Sequence, residues 1–260
     1  MPTVTLSAKI YNEHQIRFVE KFLESTLKGL NVETKICGIT PTRMVQVGVS
    51  GEDENVALRY LTEKVGVCPT SIEQLKKNSE VKGYITALNK NASELYIDIG
   101  VYMPTIINAT IPIQHLQAQL ADGRKVALQK LIELYGFCEN LPINIKILSV
   151  NKEEKRIEAT FSESQFANYK NWIKSLLDRL IIIGATPLEV KLTLKRVRAN
   201  RDVISVEPLG LFENALVCKL GTDAEGLIPK IGGKLRNATL TVFSPKKVLE
   251  FLDYSPIFAS

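Results

Sequence analysis

The sequence lacks long apolar runs. No stretch of eighteen or more apolar residues occurs in its 260 residues, and the first residues have neither the basic nor the apolar region of a signal peptide. The sequence therefore predicts a soluble, cytoplasmic protein without a membrane-spanning helix. With 45% hydrophobic and 23% charged residues, its composition is typical of globular proteins, and its length suits two or three compact units.

Side chains that bind metals are also scarce. The four cysteines are scattered through the chain: Cys37, Cys68, Cys138 and Cys218. Because no two of them form a Cys-x-x-Cys pair, the pattern argues against a zinc ribbon and a dense disulfide framework, and it predicts buried, reduced thiols. The two histidines, His14 and His115, have no neighbouring residues at metal-ligand spacing. We therefore expect neither a metal nor a cofactor.

The common catalytic motifs are missing as well. Gly232-Gly233-Lys234 is followed by Leu235 and lacks the upstream glycine of a phosphate-binding loop, and there is no nucleophile elbow or dinucleotide fingerprint. Asp98, Asp223 and Glu225 would form a metal-dependent site for phosphodiester chemistry only if the fold brought them together. The sequence therefore favours a non-enzymatic role.

Positive charge is concentrated in two segments. The net charge is only +5, but residues 191–201 and 229–247 each carry five basic residues and no acidic one. Such a run is often just a solvated face, but two of them in the same half of the chain favour a surface that contacts phosphates. The candidate contacts are Lys191, Lys195, Arg198, Arg201, Lys230, Lys234 and Arg236.

The central part of the chain has the pattern of a small β-barrel. Short segments rich in β-branched residues, separated by polar turns, predict five strands: Val81–Leu88, Leu95–Gly100, Asn108–Ile113, Ile143–Val150 and Arg156–Phe161. Asn89-Lys90-Asn91 is the predicted turn of the first hairpin. Between the third and fourth strands, Ala121–Tyr135 is predicted to be a helical insertion, because its apolar residues lie mostly on one side.

These strand segments carry a resemblance. Val81-Lys82-Gly83-Tyr84-Ile85, Tyr96-Ile97-Asp98-Ile99-Gly100 and Arg156-Ile157-Glu158-Ala159 resemble strands of the ribosomal S-one-type OB-fold RNA-binding domain. The resemblance implies a barrel that holds RNA on one face through aromatic stacking and basic contacts. It makes Arg156 and Tyr96 candidate RNA contacts.

The N-terminal residues 1–78 show the order strand, helix, strand, strand, helix. Thr3–Lys9, Val32–Ile39 and Met44–Val49 alternate as strands, while Glu13–Leu30 and Asp53–Val65 have helical spacing. This order resembles most of a ferredoxin-like α/β sandwich. The polar residues up to Glu80 then lead into the barrel, which we assign to residues 79–165.

Residues 166–260 are predicted to contain helices followed by a small basic β unit. Apolar residues from Phe166 to Leu180 recur at steps of three and four, which indicates one helix. Thr186-Pro187-Leu188-Glu189 fits a capping box, so we favour a second helix that extends into the first basic segment. Because apolar residues in this segment also alternate strictly, a strand remains the alternative. Beyond Asp202, the strand patterns up to Ile228-Pro229 and at Thr239–Phe243 suggest a second small β unit, which could be a degenerate second OB-like barrel.

The whole order, an α/β start, an OB-like centre with a helical insertion and a basic β end, resembles an archaeal family defined by domain of unknown function number 2110. This resemblance implies an archaeal origin and no assigned activity, while the elements themselves predict an overall α+β class. The leading hypothesis is a non-enzymatic RNA-binding accessory factor of translation or transcription, with ribosomal or transfer RNA, and ribosomal or RNA polymerase proteins, as partners. A protein–protein adaptor or dimerising scaffold remains the alternative.

Overall fold

The computed structural model describes residues 2–88, 93–235 and 237–253. In these ranges the chain forms two open β-sheets and one closed barrel with helices packed around them, which confirms the predicted mixed α+β class. None of the helices in these ranges is long and apolar enough to span a membrane. The predicted turn Asn89-Lys90-Asn91 and the candidate Arg236 lie outside the described residues.

The N-terminal unit follows the hydrophobic pattern of the sequence. It contains β1 (Thr3–Lys9), α1 (His14–Thr26), β2 (Val32–Ile39), β3 (Met44–Gly51) and α2 (Glu54–Lys64). The three strands are antiparallel in the order β1-β3-β2. The helices bury Leu23 and Leu61 in the same core as Val47 of the central strand. After α2 the chain returns to the free side of β1, where Val67 forms a single bridge with Leu6.

The central unit is a closed five-stranded barrel. Its strands are β4 (Glu80–Thr86), β5 (Glu94–Asp98), β6 (Ala109–Pro112), β7 (Pro142–Asn151) and β8 (Arg156–Phe161). They close in the order β4-β5-β6-β8-β7, and only the β6–β8 pair is parallel. Alternate residues such as Leu95, Ile97, Ile143 and Ile145 fill the interior and are almost fully buried. The prediction of five strands forming a small barrel is therefore confirmed.

The insertion between β6 and β7 differs from the single predicted helix. It has two short helices, α3 (Ile113–Leu120) and α4 (Leu128–Tyr135), so the helix expected over Ala121–Tyr135 is wrong in its first part. Asp122 and Gly123 both have positive φ, 49° and 77°, and this backbone conformation interrupts a helix. Ile113, predicted to end the third strand, begins α3 instead.

The helix predicted from Phe166 to Leu180 also ends early. Helix α5 covers Glu163–Lys174, Leu176 has a positive φ of 55°, and Arg179–Ile183 forms strand β9. All five residues of β9 are buried, because the strand lies inside a sheet that is covered on both faces. A strand buried on both sides has no polar alternation. The helical spacing of Leu177 and Leu180 was therefore misleading.

The C-terminal unit is an open sheet, which corrects the suggestion of a second barrel. After β9 follow α6 (Pro187–Arg196), β10 (Val203–Pro208), β11 (Glu213–Cys218), α7 (Ile228–Gly232), β12 (Thr239–Phe243) and α8 (Pro245–Phe251). The four strands are antiparallel in the order β10-β11-β9-β12. Ile228-Pro229, expected to match the third barrel strand, starts helix α7. The predicted strand at Thr239–Phe243 is confirmed as β12.

The two faces of this sheet have different neighbours. Ile181 and Ile183 of β9 join the barrel core together with Phe243 of β12. Leu180 and Ile182, on the opposite face, form a separate core with residues of α6 such as Val190 and Leu194. One face thus docks the C-terminal unit on the barrel, and α6 covers the other face with its own outer side towards solvent.

Buried polar contacts hold the three units together. Lys9 Nζ of β1 lies 2.8 Å from Asp98 Oδ2 of the barrel, and both side chains are over 90% buried. Gln15 Nε2 of α1 donates to the Gly184 carbonyl at 2.9 Å. Phe212, which precedes β11, is fully buried in the core of the N-terminal unit. The orientation of the C-terminal unit is therefore determined by contacts with both other units.

Candidate nucleic-acid interface

The first basic segment begins on a helix whose start is encoded locally. Thr186 Oγ1 accepts a hydrogen bond from the Glu189 backbone N–H, and Glu189 Oε2 accepts one from the Thr186 N–H at 2.8 Å. Pro187 occupies the first helical position, where its missing N–H costs nothing. The capping box is complete, so the helical interpretation of this segment is confirmed and the strand alternative is wrong.

Helix α6 buries one face and exposes its basic side chains. Val190, Thr193 and Leu194 are buried at steps of three and one, while Lys191 and Lys195, four residues apart, are exposed. Neither lysine has an ion-pair partner among the residues that the structure describes. Two predicted contacts are therefore available to an anionic ligand.

The two arginines of this segment that were predicted as contacts, Arg198 and Arg201, lie beyond the helix. Arg198 is exposed and has a positive φ of 56°, so it does not continue the helical face that carries Lys191 and Lys195. Arg201 is exposed in the loop before β10, and its Nε lies 3.9 Å from Asp202 Oδ1. At that distance, on the surface, the acid neutralises little of the guanidinium charge.

The second basic segment reaches the first through a groove. Lys230 lies on α7, and Lys234 follows this helix; both are exposed. Lys234 lines a groove of about 310 Å³ together with Arg196, the last residue of α6. The acidic lining residue Glu189 is occupied by hydrogen bonds from Thr186. Arg196 was not among the candidate contacts, because sequence spacing cannot show that Arg196 and Lys234 border the same groove. We call Lys191, Lys195, Arg196, Arg198, Arg201, Lys230 and Lys234 the C-terminal basic surface.

The far end of the second basic segment is neutralised within the protein. Lys247 forms an ion pair with Glu225, and the Lys246 ammonium lies 3.8 Å from Glu250 Oε1. The hydrogen bond that the Lys247 ammonium donates to Glu225 is the main cause that raises the pKa of Lys247. These two lysines are therefore less available than Lys230 and Lys234.

On the barrel, the predicted arginine contact is already paired with an acidic side chain. Arg156 Nη2 donates to Glu94 Oε1 at 2.6 Å, and His115 Nε2 lies 3.5 Å from Glu158 Oε1. Tyr96 is half-buried on β5, between its cross-strand neighbours on β4 and β6. The two predicted barrel contacts thus lie on β5 and β8, which are both paired with β6, but the arginine already has an internal anion.

Among the residues that the structure describes, few aromatic rings are exposed enough for base stacking. Tyr84, near the first hairpin, is fully buried and its hydroxyl donates to the Ser7 carbonyl at 2.8 Å. The Arg179 guanidinium lies over the Trp172 ring, 4.8 Å from its centroid, and Phe243 packs against the same indole. Trp172 is therefore a packing residue. Recognition on this protein would depend on charge more than on stacking.

A large cleft of about 760 Å³ lies where the three units meet. Its charged lining is mixed and includes Glu63 and Glu80 as well as Lys64 and Lys82. Burial lowers the pKa of the Lys82 ammonium, while the nearby Glu213 carboxylate raises it by a smaller amount. With both signs of charge present, the cleft is a poor match for a phosphate chain.

The carboxylates considered for a metal site are not brought together as one cluster. Asp98 is tied to Lys9 at the junction of the N-terminal unit and the barrel. Asp223 accepts from the backbone N–H groups of Glu225 and Gly226 at the start of a short helical turn in the C-terminal unit. Within the described ranges, no three metal-binding side chains cluster.

The cysteines follow the prediction in three cases and depart from it in one. Cys68, Cys138 and Cys218 are buried free thiols, whereas Cys37 is exposed on the edge strand β2. Burial raises the pKa of Cys68 and of Cys138 to about 12, and that of Cys218 to about 11. The three buried thiols are therefore protonated at neutral pH and poor nucleophiles.

The structure defines an α+β protein in which two open sheets flank a closed five-stranded barrel. The chain belongs to the DUF2110 family: its N-terminal domain model matches residues 3–71, its central domain model residues 75–173 and its C-terminal domain model residues 177–243. The resemblance to the DUF2110 family that we inferred from the sequence is therefore confirmed. A comparison with curated proteins finds no match.

Similarity to solved structures is low. An uncharacterized protein from Methanocaldococcus jannaschii is 12% identical over 35% of this chain and 96% of its own, with a TM-score of 0.24. The a/eIF2alpha-aDim2p-rRNA complex from Pyrococcus horikoshii has a chain that is 11% identical over 50% of this chain and 70% of its own, with a TM-score of 0.26. A multidomain protein with nucleic acid binding domains from Streptococcus pneumoniae is 5% identical over 86% of this chain and 52% of its own, with a TM-score of 0.22. At these scores the likeness carries no functional inference.

Proposed function

We propose that the protein is a non-enzymatic RNA-binding accessory factor of the archaeal translation or transcription machinery. The observation that carries the proposal is the C-terminal basic surface, on which two basic segments meet at Arg196 and Lys234 across one groove. Its lysines are exposed and have no ion-pair partner within the described part of the chain. Such a surface attracts a polyanion by releasing its counterions.

The architecture supports a multi-part RNA binder. The barrel order, with its third strand parallel to its fifth, agrees with an OB fold, and we infer that it is the S-one type. We also infer ferredoxin-like units at both ends. The C-terminal unit has the order β-α-β-β-α-β with the last strand beside the first, whereas in the N-terminal unit the bridge at Val67 takes the place of a fourth strand.

The chemistry of the surface favours contacts to the phosphate backbone over base reading. Open aromatic rings are few in the described ranges, and Arg156 on the barrel is paired with Glu94. We therefore assign the main contacts to the C-terminal basic surface and a secondary role to Tyr96 and Arg156. A structured RNA, such as ribosomal or transfer RNA, presents phosphates in several directions and suits such a surface.

The test is RNA binding by fluorescence anisotropy, with labelled transfer RNA and a single-stranded oligomer, from about 50 to about 300 mM KCl. Two double variants, Lys191→Glu with Lys195→Glu and Lys230→Glu with Lys234→Glu, reverse charges on the proposed surface. The matched control is Lys21→Glu with Lys28→Glu, which makes the same change in net charge at exposed positions of α1 and the turn after it.

Both surface variants are expected to weaken RNA binding by at least about tenfold at low salt, because each loses phosphate contacts. Each lost contact should also reduce the magnitude of the slope of log K against log salt by about 0.7 for a single strand. The control is expected to bind nearly as the unaltered protein does. Equal losses in all three variants, or binding that does not change with salt, would contradict the assignment.

The same labelled RNA, incubated with magnesium or manganese, tests the alternative of a phosphodiester enzyme. We expect it to remain intact.

RNA identity requires crosslinking in the native cell, followed by sequencing of the bound RNA and identification of co-purified proteins. Enriched ribosomal or transfer RNA would support the proposal, whereas recovery of proteins without RNA would favour an adaptor.

A further inference from the structure

A second surface feature, an aliphatic groove, lies on the outer side of the C-terminal unit. Leu188 and Leu192 of α6 and Ile204 of β10 are 63%, 44% and 56% exposed. They border a groove of about 360 Å³ whose lining also includes Val203 and Val206, and no lining residue is aromatic. We call it the α6–β10 groove. Exposed aliphatic side chains gathered in one groove mark an interaction site more often than single ones do.

The groove runs beside an open sheet edge. Of the strands in the described ranges, β10 pairs only with β11, so its other side presents unpaired backbone N–H and C=O groups. Natural edges are usually protected by prolines, charges or bulges. Here Pro208 ends the strand and a register shift lies between Val203 and Ser205, but the residues between these features carry no charged side chain before Glu207. The edge can therefore accept another strand.

The rim of the groove determines the charge of its ligand. Lys191 and Lys195 belong to its lining, and Arg198 and Arg201 lie in the loop between α6 and β10. A second copy of the chain would place like charges against each other. An RNA would gain charge contacts but no stacking from leucine and isoleucine. An extended peptide that alternates acidic and aliphatic residues would satisfy the edge, the groove and the rim together.

We propose that the α6–β10 groove binds an acidic segment of a partner protein, which adds as a strand to the edge of β10. Its aliphatic side chains contact Leu188, Leu192 and Ile204, and its carboxylates approach Lys191 and Lys195. Because these lysines also belong to the C-terminal basic surface, the peptide and RNA compete for the protein. This inference does not require that RNA binds.

The test uses a fluorescent peptide of about eight residues in which aspartate or glutamate alternates with valine or leucine. Three comparison peptides have a scrambled order, lysine in place of each acid, or N-methyl groups on alternate amides, which prevent strand pairing. The protein variants are Leu192→Ser and Ile204→Ser, which remove aliphatic contact without adding charge. The matched control is Leu220→Ser, because Leu220 is 79% exposed and lies outside the groove.

The alternating acidic peptide is expected to bind, and each groove variant is expected to weaken binding by about tenfold, as the loss of one buried aliphatic side chain would. Leu220→Ser should have no effect, and the three comparison peptides should bind at least about tenfold more weakly. The proposal is overturned if saturable binding is absent up to about 1 mM, or if the N-methylated or scrambled peptide binds equally well.

RNA affinity, measured on the same serine variants, separates this proposal from the previous one. The variants should retain it, since they keep every basic residue, and added peptide should displace RNA. A parallel loss of peptide and RNA binding in Leu192→Ser and Ile204→Ser would show that the groove is part of the RNA surface, and would overturn the peptide assignment. Loss of peptide binding alone, with peptide displacing RNA, would support it.

Discussion

The Tyr11 hydroxyl donates a hydrogen bond of 2.6 Å to Glu213 Oε1, although the two residues are 202 positions apart. Tyr11 follows the first strand of the N-terminal unit, and Glu213 begins β11 of the C-terminal unit. The carboxyl group is fully buried, and a β-carbon at Gly210 would overlap its Oε2 atom. This contact helps to set the orientation of the unit that carries the C-terminal basic surface.

Glu213 should make stability depend on pH. Burial raises the pKa of its carboxyl group above the ordinary value of 4.5, by more than the Tyr11 hydroxyl and the ammonium groups of Lys82 and Lys9 lower it. Tyr84 also faces this carboxyl group. The folded state therefore keeps a proton that the unfolded state releases, and the free energy of unfolding falls as pH rises from 4.5 through the raised pKa.

The variant Glu213→Gln is expected to remove this part of the pH dependence. Urea unfolding of both proteins, from about pH 4.5 to pH 8, measures it as a difference in slope. Other carboxylates titrate equally in the two proteins and cancel in the comparison. Parallel stability curves for the two proteins would mean that the pKa of Glu213 is not raised.

Tyr11→Phe isolates the hydrogen bond between the units. The substitution removes the donor and leaves a buried carboxyl group with fewer partners, so it should cost about 2 kcal/mol of unfolding free energy. Tyr60→Phe is a suitable comparison, because Tyr60 is 39% exposed on α2 and makes no hydrogen bond among the described residues. Urea denaturation at constant pH measures both. Equal stability of the two variants would show that the bond contributes nothing.

The buried ion pair between Lys9 and Asp98 should be far more sensitive to change than an exposed one. Lys9→Met leaves Asp98 without its partner and should destabilise the protein by about 3 to 5 kcal/mol. Lys247→Met breaks the exposed pair with Glu225 and should cost less than about 1 kcal/mol. Chemical denaturation compares the two variants. A small effect of Lys9→Met would indicate that water reaches Asp98.

The capping box at Thr186 should contribute to the stability of α6 and of the surface that it carries. Thr186→Ala removes the hydroxyl that accepts from Glu189 N–H and should cost about 1 kcal/mol. Amide hydrogen exchange should show that the backbone amides in the first turn of α6 lose protection, while those of the other helices keep it. Leu188→Ala, a substitution at a neighbouring exposed position, keeps the cap and serves as the control. Equal amide protection of the first turn of α6 in Leu188→Ala and Thr186→Ala would contradict this account.

Releasing Arg156 should strengthen RNA binding if the barrel face takes part. Glu94→Gln removes the carboxylate that holds the guanidinium at 2.6 Å, and it should raise affinity about twofold to threefold at low salt. Arg156→Ala should change affinity little, since the arginine is already paired. Anisotropy titrations with the same RNA measure both variants. A strong loss in Arg156→Ala would instead place the main contact on the barrel.

Much of the local structure could be predicted from the sequence. The strands of the barrel and the two N-terminal helices have a clear period, and the cap of α6 is local, since Thr186, Pro187 and Glu189 are neighbours in the chain. These features depend on residues a few positions apart. The family was recognised from the order of the same elements, and its three domain models match most of the chain.

Strand β9 could not be predicted in this way, because it is buried on both faces and its isoleucines do not alternate with polar residues. Without β9, the C-terminal unit resembled half a barrel instead of a four-stranded sheet. The wrong extension of α5 has the same cause. A continuous apolar segment does not indicate by itself whether it forms a helix or a strand.

The sequence alone determined the helices and strands with a clear period, the capped start of α6 and the two basic segments, since each depends on neighbouring residues. The tertiary structure decided which charges remain available: it pairs Arg156 with Glu94 and Lys247 with Glu225, and it places Arg196 and Lys234 on one groove. It also left the β10 edge open. Charge pairing and edge exposure depend on residues far apart in the chain, which only the packing of the three units brings together.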